Sequence, residues 1–143
     1  MKIVEVLGQA DPQYFLHEGC AIFAIALRRL LERGDFYIYA DTTDRADKWG
    51  RSGYEFTHVV LLVDGRLYDV RGIRALSDLA REFAKNAEQM RLLGPFSEPD
   101  FRRRFVGSSD RKPFYGPTVD TLREAENIIQ ASPGRYGLPV SKG

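Results

Sequence analysis

Asp64-Gly65 sits between two apolar runs, Tyr54 to Val63 and Arg66 to Val70, and no other feature constrains the fold as tightly. A two-residue hairpin loop with the favoured twist needs positive φ at both central positions, which Asp-Gly accepts. That bend fixes a register: Val63 opposes Arg66, Val60 opposes Asp69 and His58 opposes Arg71. Opposed residues share a face of the sheet, and so do residues two apart on one strand. His58 and Asp69 thereby become diagonal neighbours on one face, about 7–8 Å apart between backbones and within side-chain hydrogen-bond reach. A three-residue loop would shift the pairing by one and send Asp69 to the opposite face.

Upstream, Glu18 to Gly34 reads as one helix with the only cysteine of the chain, Cys20, in its first turn. Ile22, Phe23, Ala26, Leu27, Leu30 and Leu31 recur with helical period and form an apolar face, while Arg28, Arg29, Glu32 and Arg33 point to water. Gly34 is expected to supply the left-handed stop, and Gly19 the sharp turn into the helix. Cysteines at helix starts, beside unpaired N–H groups and the positive dipole end, are commonly activated. Elsewhere a lone cysteine is more often a small buried hydrophobe.

The other segments are read from local signals. Residues 2–7 alternate as a short strand or an ordered tail, and Gly8 to Gln13 carries turn chemistry around Asp11-Pro12. Tyr14, Phe15 and Leu16 are expected to pack under the entrance to the Cys20 helix. Asp35 to Ala40, rich in aromatic and β-branched residues, is a strand, and 41–53, with the single Trp49, an exposed loop. Ile73 to about Leu93 reads as a helix with a Leu76, Leu79, Phe83, Ala87 and Met90 stripe, ended by Gly94-Pro95. Arg102-Arg103-Arg104 invites a phosphate reading, but flanking Phe101 and Phe105 favour an ordinary element with two buried rings. Thr118 to Ala131 is a final helix with Thr118 or Thr121 as N-cap, and 132–143 a loosely ordered tail.

With 143 residues and no internal repeat or boundary, residues 1–143 are expected to form a single α+β domain. An N-terminal helix would pack on a small antiparallel sheet, with C-terminal helices covering that sheet. A net charge of +1 gives no support for a nucleic-acid or membrane partner. One cysteine excludes an internal disulfide and points to a reducing compartment. Met1 to Leu7 is too short and too charged for a signal peptide, and no apolar run reaches bilayer-spanning length. A cytoplasmic location is the expectation. His17-x-x-Cys20 with His58 and Asp69 matches no common structural zinc spacing, so neither metal nor cofactor is expected.

Cys20, His58 and Asp69 are the residues that could carry chemistry together: thiol catalysis needs a base within reach and a third group to orient the imidazole. Gly19-Cys20 leading into a small and aromatic helix, followed by Thr57-His58-Val59-Val60 and Leu67-Tyr68-Asp69, resembles the transglutaminase-like branch of the papain-like cysteine peptidase superfamily. The likeness covers roughly residues 13–72, in the same Cys–His–Asp order. It implies a papain-like core with Cys20 as acyl-accepting nucleophile, His58 as base and acid, and Asp69 as orienting group. The Cys20 N–H would serve the oxyanion, with Gln13 as second-donor candidate and His17 and Gly19 beside the cleft. Val59 and Val60 stand where that group often has an aromatic residue. The implied function is thiol-dependent acyl transfer on a protein, peptide or amide substrate: peptidase, amidase, deamidase or transglutaminase. The alternatives are a non-catalytic binding or regulatory module on the same fold, and an exported effector or toxin using the same triad.

Overall fold

The computed structural model describes residues 11–41, 55–83, 90–107 and 112–139. The strand expected at 2–7 and the loop around Trp49 lie outside the described residues. Among the described residues, five α-helices and five strands follow one another: α1 (Pro12–His17), α2 (Cys20–Leu31), β1 (Asp35–Asp41), β2 (Glu55–Val63), β3 (Arg66–Asp69), β4 (Gly72–Arg74), α3 (Leu76–Phe83), β5 (Met90–Phe96), α4 (Glu98–Phe105) and α5 (Val119–Ala131). A short 3₁₀ turn, Pro133–Tyr136, follows. The sheet is antiparallel throughout, in the order β4-β3-β2-β1-β5. The α+β class and the antiparallel sheet therefore match the expectation from sequence.

Helix α2 is the centre of the core. It packs on β2, β3, α1 and α5, and every residue from Cys20 to Leu27 is buried. The sequence suggested one apolar stripe; Ala21, Ala24 and Ile25 are also buried, as befits a helix covered on more than one side. Its stop differs from expectation too. Glu32, at φ 60°, takes the left-handed position, and its N–H bonds to the Arg28 carbonyl at 2.8 Å. Gly34 is needed instead for close approach, since a Cβ there would sit 3.0 Å from Leu61 and Val63 side-chain atoms.

Three further readings change. Asp11-Pro12 starts a helix rather than breaking one: Asp11 Oδ1 accepts the Gln13 N–H at 2.9 Å and Pro12 occupies the first turn. The single helix expected over 73–93 is three pieces, β4, α3 and β5. Its apolar stripe was counted at helical period, but Met90 to Phe96 is committed to pairing with β1, and long-range pairing overrides local periodicity. The C-terminal segment, expected to be loose, instead buries the Tyr136 ring, whose hydroxyl donates to the Val70 carbonyl at 2.5 Å. Thr118 caps α5 through a reciprocal pair with Thr121, as the sequence indicated. Phe101 and Phe105 are buried in α4, and the three arginines between them pair with Glu98 or Asp100 on the same helix. Among the described residues no helix is long and apolar enough to cross a membrane.

Candidate active site

The Asp64-Gly65 bend forms with two residues at positive φ, 51° and 79°. It pairs Val63 with Arg66, Leu62 with Leu67 and Leu61 with Tyr68, the register deduced from the two-residue loop. Extending that ladder puts Asp69 diagonally across from His58. Their side chains meet, with His58 Nε2 2.8 Å from Asp69 Oδ2. The other carboxylate oxygen, Oδ1, accepts the Arg71 backbone N–H at 2.8 Å. Two directional bonds on two oxygens fix the carboxylate plane, and both side chains are buried.

Cys20 reaches the same ring from the tip of α2. Burial works against the imidazolium, but the Asp69 hydrogen bond and the adjacent Cys20 thiol more than offset it, so the His58 pKa is pushed up from 6.5 to about 9. With Nε2 committed to Asp69, the second ring nitrogen, Nδ1, has no hydrogen bond of ordinary geometry. Sulfur–imidazole contacts in resting thiol sites are commonly loose and tighten when substrate binds. Imidazole and carboxylate are hydrogen-bonded to each other, and the Cys20 thiol stands beside the ring without a hydrogen bond to its Nδ1. At neutral pH the imidazole carries its proton.

Comparison with protein families, with curated proteins and with solved structures finds no match.

The secondary candidates are placed differently. Gly19 is buried at the N-terminus of α2, and a Cβ there would come 2.5 Å from Tyr14 Cε2, so a larger residue at this corner before Cys20 would displace the Tyr14 ring. His17 is exposed on the last turn of α1, its ring 6.1 Å edge-on from Phe83. Gln13 is exposed on the first turn of α1, with its backbone N–H turned to Asp11. Among the described residues no group of three His, Cys, Asp or Glu side chains is arranged to hold a metal ion.

Three residues of the site escaped sequence reasoning. Phe83 stacks on His58, with ring centroids 4.1 Å apart and planes 15° from parallel. Arg74 Nε lies 3.0 Å from Asp69 Oδ2, an ion pair without hydrogen-bond alignment, and its side chain is 7% exposed. Glu82 holds the far side of that guanidinium at 2.5 Å and also meets Arg71 at 3.4 Å. The signal at Arg74 pointed the wrong way, because hydropathy would turn Ile73 inward and Arg74 outward, whereas Ile73 is exposed and Arg74 buried. Phe83 and Glu82 had none, because reading 73–93 as one helix gave no reason to place its middle over a hairpin.

Proposed function

We propose that the protein is a thiol-dependent acyl-transfer enzyme on a papain-like, transglutaminase-like core, with Cys20 as nucleophile. The observation that carries this reading is a single imidazole shared between a carboxylate, at 2.8 Å, and the only cysteine of the chain. Cys20 attacks an amide or ester carbonyl as the thiolate, its proton being the one held on His58, and the new C–S bond forms as the carbonyl π electrons move to oxygen. The backbone N–H of Cys20, at the start of α2 where amides lack intrahelical acceptors, faces that developing charge. His58 passes its proton to the departing amine or alcohol, the C–N or C–O bond breaks, and a thioester remains. Water or an amine then attacks the thioester while His58 takes the incoming proton, and sulfur leaves. Asp69 keeps the ring oriented and stabilises its cation through both half-reactions.

Burial is the one observation favouring the second reading, a non-catalytic module on the same fold. Cys20 is 2% exposed and Phe83 covers one face of His58. Labelling by a small thiol-reactive amide such as iodoacetamide separates the two, and the single cysteine makes the adduct unambiguous. The enzyme reading expects Cys20 to react faster than free cysteine at neutral pH, and His58→Ala to slow it about tenfold or more. Slow labelling that is indifferent to His58 would leave only the module.

A further inference from the structure

Asp69 serves two cations at once. Oδ2 is 2.8 Å from His58 Nε2 and 3.0 Å from Arg74 Nε, while Oδ1 is taken by the Arg71 N–H. The Arg74 side chain is 7% exposed, so its charge is poorly screened. Beyond it stands Glu82, on the helix that carries Phe83 as its next residue. One helix therefore touches the site twice: Glu82 grips Arg74, and Phe83 lies on His58.

We propose that Arg74 is a positioning residue that acts through Asp69: its guanidinium takes up part of the carboxylate charge, so that Asp69 orients His58 without locking the proton onto it. This inference rests on the reading of Cys20 and His58 as nucleophile and acid–base. A buried carboxylate with no cation other than the imidazolium would hold that imidazolium tightly and make it a poor acid toward a leaving group. A fixed positive charge on the same oxygen opposes this in two ways. It weakens the Asp69 field at the ring, and it repels the imidazolium directly. Glu82 tempers Arg74 in turn, so the proton affinity of His58 is set by a chain of alternating charges running from β3 and β4 to α3. The groups facing the chain are Cys20 from α2, His58 from β2, Asp69 from β3, Arg71 from the β3–β4 turn, Arg74 from β4, Glu82 and Asp78 from α3 and the Tyr136 hydroxyl from the C-terminal turn.

The test is the titration of His58, followed by NMR of the histidine ring protons in the full chain, with His17→Gln to assign the second histidine. Arg74→Met is expected to raise the His58 midpoint by about one to two pH units, from a unit charge removed within about 6 Å of the ring. Arg74→Lys keeps the charge and should leave the midpoint within about half a unit of the wild type. Glu82→Gln unmasks Arg74 and should move it the opposite way, downward by about half a unit or more. A packing role alone would not give opposite signs for the two partners of one ion pair. The proposal is overturned if Arg74→Met leaves the midpoint unchanged or lowers it, or if Arg74→Lys moves it as far as Arg74→Met does. Should Arg74→Met fail to fold, Glu82→Gln decides: a downward shift supports the role, and no shift or an upward one overturns it. These titrations do not depend on turnover. The expected shifts with an inert Cys20 would leave the Arg74 role standing and remove the enzymatic reading; unmoved titrations with a His58-dependent, reactive Cys20 would do the reverse.

Discussion

Replacing Asp69 by asparagine tests the core of the site with nearly constant shape. In the native protein His58 is held up at about 9, against 6.5 for a free imidazole, although its burial alone would depress it. The substituted amide could still touch the ring but carries no charge, and a hydrogen bond to a charged partner contributes about 1.5–3 kcal/mol. At about 1.4 kcal/mol per pH unit that loss lowers the midpoint by roughly one to two units. Arg74, left without its counter-charge 3.0 Å away, pushes further in the same direction. The midpoint is therefore expected to fall to the ordinary histidine range or below it. Linkage gives a second readout with a definite sign. A group whose folded pKa lies above its unfolded value contributes stability that is fully present below the unfolded pKa and lost as pH rises through the folded one. Native stability should thus decline between about pH 6.5 and 9 on account of His58, and Asp69→Asn should abolish that decline. Ring-proton NMR gives the midpoint, and urea unfolding at stepped pH gives the stability slope. A His58 midpoint that stays near 9 in the variant would show that Asp69 does not hold the imidazolium, and the triad reading would go with it.

Two further outcomes follow from the packing around the site. Phe83→Ala uncovers one face of His58 and is expected to speed iodoacetamide labelling of Cys20 several-fold, at a cost of about 1–3 kcal/mol because Phe83 is only partly buried; an unchanged labelling rate would show that Phe83 does not control access. Tyr136→Phe removes the hydroxyl that donates to the buried Val70 carbonyl, beside Asp69, and should cost about 1–3 kcal/mol. Calorimetry should then show a melting temperature lower by roughly 3–10 °C, whereas an unmoved transition would mean that the Tyr136–Val70 hydrogen bond adds nothing to stability.

The parts legible from sequence were those in which local chemistry leaves one solution. Asp64-Gly65 admits a two-residue turn, the turn fixes register, and register puts His58 and Asp69 on one face; the 2.8 Å contact follows from that chain of constraints. The Cys20 helix was equally plain, because its apolar residues leave a helix nowhere to go but the core. What the sequence could not decide was anything set by an element crossing the chain from far away. Met90 to Phe96 carries a pattern compatible with helix or strand, and it became a strand because β1 offered an unpaired edge. Once residues 76–83 formed a helix of their own, Glu82 and Phe83 could reach Arg74 and His58. Tyr136 likewise found Val70, 66 positions away in the chain, through a ring buried against Phe23. Turn residues and apolar periods are local energies, readable one segment at a time. The charge balance around Asp69 is a sum over side chains from separate elements, so it exists only once the tertiary structure has brought them together.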